Sequence, residues 1–176
     1  MKKIIYLMLL MLLGGTAFAQ QITKANLQVI GLTCSMCSKA TETSLRSLDF
    51  IGTITPDLNK NLFVLTFVKG KTVNMDLIKK KVQDAGFSIG NLQATFNFNQ
   101  LKVNGSGLAI NGQQAYHFVN TKSQVLNGEV KATVLDKNFV SNATFKKNTA
   151  KFSAESYATG QGMVNGKNTR IYHLSI

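Results

Sequence analysis

Cys34 and Cys37 are the only two cysteines of a 176-residue sequence, and they sit together in the run Gly31-Leu32-Thr33-Cys34-Ser35-Met36-Cys37. A Cys-x-x-Cys pair that opens a helix can hold a soft metal ion, exchange disulfides or close on itself. All three begin with thiol pKa values lowered by the free N–H groups of a helix start. Spacing alone leaves metal ligation and thiol exchange open, because a second cysteine pair of the zinc-ribbon kind is missing.

Other residues that could do chemistry are few. His117 and His173 are the two histidines. Each alternates with apolar neighbours, Tyr116 and Phe118 or Tyr172 and Leu174, so both are expected on the wet faces of strands. Adjacent strands could bring them together as a weak second metal site. Met36 lies inside the cysteine loop and is expected to be exposed, whereas Met75, in the first turn of a helix, is expected to pack. Lys79-Lys80-Lys81 suits a solvated helix face or a docking patch for an acidic partner. The sequence has no Gly-x-Ser-x-Gly, no Walker loop, no His-Glu-x-x-His and no close acidic pair, so no catalytic residues are expected and the chain reads as a non-enzyme.

The elements that must position the cysteines follow from periodicity. Thr23, Ala25, Leu27 and Val29 alternate with polar residues, a strand whose end delivers the loop. Cys37, Thr41, Leu45 and Leu48 recur at helical spacing and predict one buried stripe. Phe50 to Thr55 and Leu62 to Phe67 predict a hairpin across a loop from Pro56 to Asn61. Asn74 is a suitable cap for a second helix carrying Leu77, Ile78, Val82 and Ala85 on one face, with Gly86 as its stop. Phe87 to Leu92 would close the sheet, for the order βαββαβ.

From Ile22 to about Leu92 the sequence resembles a heavy-metal-associated domain, the module of copper chaperones and copper-ATPase amino-terminal repeats. Gly31, Thr33, Cys34 and Cys37 fall on that family's Gly-Met-Thr-Cys-x-x-Cys loop, with Leu32 in place of Met. Glu42, Leu45 and Leu48 match its first helix, and Gly86-Phe87 stands where the family has Gly-Tyr or Gly-Phe. The resemblance implies a ferredoxin-like fold and makes Cys34 and Cys37 the metal ligands, Cu(I) first and Zn(II), Hg(II) or Cd(II) as alternatives. Leu32 should keep the loop anchored in the core, and Phe87 offers no hydroxyl to tune the thiolates.

Beyond Gln93 the helical period fades, and Asn-Gly occurs at Asn104-Gly105, Asn111-Gly112, Asn127-Gly128 and Asn165-Gly166, each a hairpin signal. Alternating strands are predicted around Phe96 and Phe98, Tyr116 to Phe118, Val130 to Val134 and Tyr172 to Ile176, with a short helix between Phe139 and Phe152. The predicted fold class is therefore α+β: a ferredoxin-like βαββαβ domain at 22–92, followed by a small all-β domain at 93–176 for which an OB-like barrel is one candidate. Tyr116-His117-Phe118 is faintly echoed by Tyr172-His173-Leu174.

Residues 1–19 combine Met1-Lys2-Lys3, an apolar run from Ile4 to Leu13 and Ala17-Phe18-Ala19, the parts of a secretory signal peptide. The run is too short to span a bilayer, so no transmembrane anchor is expected after cleavage, and the destination is the periplasm or outside. Removing Lys2 and Lys3 leaves 18 of the 20 basic residues against 8 acidic, a net charge of +10 spread over both halves. Such a surface suits an acidic metal-accepting domain or envelope component, and an extracellular protein has little occasion to meet nucleic acid. The expected function is a secreted or periplasmic soft-metal binder for sequestration or delivery. The rivals are a thiol-disulfide oxidoreductase and an adaptor that binds no metal.

Overall fold

The structure is a computed structural model, and it describes residues 22–112, 114–152 and 154–176. The predicted signal peptide lies outside the described residues. The first half has the order β1 (Ile22–Ile30), α1 (Ser35–Arg46), β2 (Ile51–Asp57), β3 (Leu62–Phe67), α2 (Met75–Asp84) and β4 (Ser88–Val103). The strands align as β2-β3-β1-β4, all antiparallel, which is the ferredoxin-like arrangement expected.

Local sequence explains most of these elements. Thr41 and Leu45 are fully buried, as the helical stripe requires; Leu48, expected on the same stripe, lies beyond the helix end at Arg46 and is buried in the turn that follows. Asn74 Oδ1 accepts the Leu77 N–H at 3.2 Å and starts α2. The buried face of α2 is Met75, Ile78 and Val82, while Leu77 is 40% exposed. Pro56 lies within β2, opposite Phe63, rather than in the connecting loop. Proline is tolerated there because β2 is an edge strand. In β1 an irregularity at Thr23 sets Ile22 opposite Phe96 and Lys24 opposite Thr95. Ile22 turns inward in consequence, and Thr23, expected on the apolar face, is exposed.

The second half adds β5 (Leu108–Asn111), β6 (Gln114–Phe118), β7 (Gln124–Val134), α3 (Asn142–Thr149), α4 (Glu155–Thr159), β8 (Gln161–Val164) and β9 (Lys167–Ser175). They extend the same sheet, whose path runs β2-β3-β1-β4-β7-β9-β6-β5, with β8 paired to β9. The sheet is not a closed barrel, which corrects the OB-like candidate. Closure within 93–176 would require β4 to pair with β5 at the far end of the path; β1 takes the outer edge of β4 as far as Phe96, and among the described residues no ladder joins β4 to β5 beyond it.

The division at 92 and 93 falls inside the 16-residue strand β4, which pairs with β1 on one edge and β7 on the other. One apolar cluster includes Leu27, Leu45 and Ile78 from the first half and Phe118, Phe139 and Leu174 from the second. Each such fully buried side chain is worth roughly 1.5–3 kcal/mol of transfer free energy.

Polar contacts also cross between the halves. Arg170 of β9 donates through Nε to Asp76 Oδ2 at 2.8 Å, and Tyr172 Oη donates to the same oxygen at 3.0 Å. Lys79 Nζ binds Asp76 Oδ1 at 2.7 Å and lies 4.8 Å from the Phe139 ring centroid. Lys79 is thus engaged within the fold, whereas Lys80 pairs with Asp84 at the surface. Burial pushes the Asp76 carboxyl up, but the hydrogen bonds from Arg170 and Lys79 outweigh it and hold the pKa at about 2.

The Asn-Gly signals divide by context. Asn165-Gly166 joins β8 to β9 with both residues at positive φ, 49° and 75°, as a type I′ turn requires. Asn127-Gly128 instead lies within β7, where the β4 pairing shifts register between Phe98 and Leu101. Asn127 Oδ1 accepts the Gln100 N–H at 3.3 Å there, so the dipeptide shapes a bulge and not a hairpin.

Two outcomes follow from the shared strand and the shared carboxylate. A fragment ending at residue 92 loses Phe96, whose side chain is fully buried. In urea titration it should be less stable than the whole chain by at least about 3 kcal/mol, the usual size of one buried phenylalanine. Equal stability would show that β4 beyond Leu92 contributes nothing to the first half. Asp76 has a folded pKa below its ordinary 3.8, so its stabilisation is present above pH 4 and fades as pH falls toward about 2. Asp76→Asn should therefore flatten the acid end of the stability curve, measured by denaturant midpoints at stepped pH.

Candidate metal centre

The cysteine loop is fixed at both ends. Val29 of β1 is fully buried, and Leu32 packs into the core at 8% exposure, as the anchoring role expected of it requires. Gly31 between them has φ +95°, a left-handed conformation that suits glycine. A Cβ built there would lie 3.5 Å from the Phe87 ring, so the residue after α2 closes against the loop.

Cys34 is the N-cap of α1, with extended backbone dihedrals of −149° and 162°. Its Sγ accepts the Cys37 N–H at 3.3 Å, taking the place usually held by a serine or aspartate oxygen. Cys37, one turn into the helix, packs partly against the core, and Thr41 Oγ1 donates to its carbonyl at 3.1 Å. The two sulfurs are 2.7 Å apart, and both thiols are free. The contact with the Cys37 side chain, followed by the Cys37 N–H, lowers the Cys34 pKa below the ordinary thiol value. The pair thus presents one exposed, thiolate-prone sulfur and one sulfur anchored in the core.

A metal held between two sulfurs needs them about twice a metal–sulfur bond of ~2.3 Å apart. Cys34 is exposed and Cys37 half-buried, so an outward turn of the Cys34 side chain is the change that such a span requires. Met36 is 76% exposed and Met75 is 1% exposed, as expected of each. Among the described residues no group of three or more His, Cys, Asp or Glu side chains is placed to hold a metal.

The histidines depart from expectation. His173 is fully buried rather than solvated, because β9 runs between β6 and β7 while Tyr157 of α4 packs edge-on against its ring, the centroids 5.1 Å apart. His117 sits directly opposite it, in register on the parallel strand β6, with ring centroids 5.3 Å apart. The faint sequence echo is therefore a spatial pairing, Tyr beside Tyr and His beside His. Their nitrogens are largely spoken for within the protein. His117 Nε2 is 2.9 Å from the Ser106 carbonyl, and His173 faces Ser156 and Asp136. Burial and then the neighbouring His173 push the His117 pKa below its ordinary value.

In its first part the chain resembles a heavy-metal-associated domain. It is similar to the CopZ metallochaperone, at 22% identity over 38% of this chain and 98% of that one, with a TM-score of 0.35. The yeast copper transporter domain Ccc2a, solved in apo and Cu(I)-loaded states, is 31% identical over 38% of this chain and 90% of its own, with a TM-score of 0.34. Apo-CopP from Helicobacter pylori is 29% identical over 38% and 97%, with a TM-score of 0.33. No family model matches the chain, nor does any curated protein.

The lowered pKa of Cys34 has a direct consequence. In the reduced chain Cys34 should be alkylated by iodoacetamide at lower pH than an ordinary thiol, and ahead of the half-buried Cys37. Peptide mass mapping of partly modified protein reads this out; preferential modification of Cys37 would reverse the assignment of the two sulfurs.

Proposed function

We propose that this chain is a soft-metal-binding protein in which Cys34 and Cys37 hold one Cu(I) for sequestration or delivery. The observation that carries the reading is a thiolate-prone N-cap sulfur 2.7 Å from a second, core-anchored sulfur on the first turn of the same helix. Two thiolates form a soft donor set, and Cu(I) accepts them without a third ligand. Zn(II) favours four ligands, which fits the pair less well, while Hg(II) and Cd(II) share the preference for sulfur.

Transfer by ligand exchange suits the geometry: the exposed Cys34 would release the ion to an acceptor first, while the half-buried Cys37 keeps its hold until the exchange is complete. The basic surface suits an acidic acceptor domain or envelope component. The charged, apolar and small-residue pattern of residues 1–19 supports a role in the periplasm or outside the cell. Metal binding and disulfide closure would compete there for the same sulfurs.

Cu(I) titration of the reduced protein against a chromophoric chelator, without oxygen, tests the assignment. One equivalent should bind, and Cys34→Ser or Cys37→Ser should weaken binding by at least about 100-fold. Retention of one tightly bound equivalent by the double serine variant would contradict it.

A further inference from the structure

Helix α3 meets the rest of the fold by one side only. Ser141 Oγ accepts the Thr144 N–H at 3.2 Å and starts it. Past Thr149 the chain keeps turning, since the N–H groups of Lys151 and Phe152 both donate to the Asn148 carbonyl at 2.9 Å. Phe145, Asn148 and Phe152 fall at spacings of three and four, and all three are half-buried. Phe145 stacks on the Tyr157 ring at 5.0 Å between centroids, and Phe152 meets the same ring edge-on at 5.2 Å. Tyr157 is held in turn by its hydroxyl, which donates to the Leu135 carbonyl at 2.6 Å. Two phenylalanines on one buried tyrosine therefore set which way the helix faces.

The opposite side carries Ala143, Lys146, Lys147, Ala150 and Lys151, all exposed. At 3.6 residues per turn the three lysines spread over about 140° of the surface turned away from Tyr157. From Lys137 to Ala154 the sequence has four lysines and no aspartate or glutamate. Among the described residues Lys146, Lys147 and Lys151 form no ion pair, whereas Lys39, Lys60, Lys71, Lys79 and Lys80 each have a carboxylate partner. Cations gathered without counter-charges repel one another, and an anionic surface relieves that repulsion.

We infer that this face of α3 docks the protein on a bilayer of anionic phospholipids, its lysines among the phosphate headgroups. A protein partner suits the face less well. Protein interfaces have an apolar or aromatic centre and are poor in lysine, and here only the methyl groups of two alanines stand between the charges. Lysine is a compact point charge on a flexible stem and asks for no fixed geometry, which matches a fluid layer of headgroups. With Phe145 and Phe152 engaged by Tyr157, the helix brings no large apolar side chain to the acyl chains. It therefore lies on the surface, and salt releases it.

The test uses the chain from Gln20 onward, free of the apolar run that would itself enter a bilayer, sedimented with sucrose-loaded vesicles. Vesicles of phosphatidylglycerol and phosphatidylcholine in equal parts should carry the protein down at low salt, and added sodium chloride should release it. Vesicles of phosphatidylcholine alone should leave it in solution. The triple variant Lys146→Gln, Lys147→Gln and Lys151→Gln should bind about 100-fold more weakly, each lysine near an anionic surface being worth roughly fivefold. Glutamine at the equally exposed Lys24, Lys69 and Lys102 removes the same charge from other elements and should cost far less. Acetylation of the vesicle-bound protein, mapped by peptide mass, should spare Lys146, Lys147 and Lys151. Failure to sediment with anionic vesicles would overturn the inference. So would equal loss in the two triple variants, because net charge alone would then account for binding. Tighter binding to soluble polyglutamate than to the vesicles would assign the face to an acidic protein instead. Cys34 and Cys37 are unchanged throughout, so the metal reading stands or falls separately.

Discussion

Strand β4 is the constraint on which the molecule depends. Of its 16 residues, those from Ser88 to Phe96 pair with β1 on one edge and those from Gln93 to Val103 with β7 on the other, so the sheet that carries the cysteine loop and the sheet that carries β9 are one sheet. Phe96 and Phe98 stack within it at 5.2 Å and meet Tyr116 edge-on, at 5.5 and 6.0 Å. A strand paired on both edges cannot slip by one residue without turning these rings into solvent. Arg170, Tyr172 and Lys79 add a polar counterpart, converging from β9 and α2 on the single carboxylate of Asp76.

Given that frame, the cysteine loop has little freedom. Leu32 is fixed in the core, Gly31 turns the chain beside Phe87, and Thr41 and Leu45 seat the helix that follows. The site's asymmetry comes from this placement. Cys37 shares the helix's buried side, whereas Cys34 stands before the first turn, where a sulfur can accept an N–H and still reach solvent. The pair thus sets one sulfur against the core and the other at the surface.

The parts legible in the sequence were those governed by local signals. The Cys-x-x-Cys loop, the stripe of α1 and the Asn74 cap each depend on residues within a turn or two, and each appears in the fold. What escaped was set by distant neighbours. His173 alternates with apolar residues as a wet-face residue would, but its strand gains β6 and β7 as neighbours and Tyr157 of α4 as a cover, so its polar face becomes interior. Asn127-Gly128 carries a hairpin signal, yet the flanking residues belong to one long strand opposite β4, and the glycine's positive φ serves a bulge. The Ser156, His173 and Asp136 line had no motif to reveal it, since its members come from α4, β9 and the loop after β7. The echo of Tyr116-His117-Phe118 in Tyr172-His173-Leu174 hinted only that β6 and β9 lie side by side.

The proposed ligands of the metal are the two sulfurs of Cys34 and Cys37 alone. X-ray absorption at the copper edge of the Cu(I)-loaded full chain tests this most directly, because scattering from sulfur differs from that of imidazole nitrogen or carboxylate oxygen. The expected first shell is two sulfur atoms without nitrogen or oxygen neighbours. A shell containing imidazole nitrogen would move the site to His117 and His173 and contradict the assignment to Cys34 and Cys37.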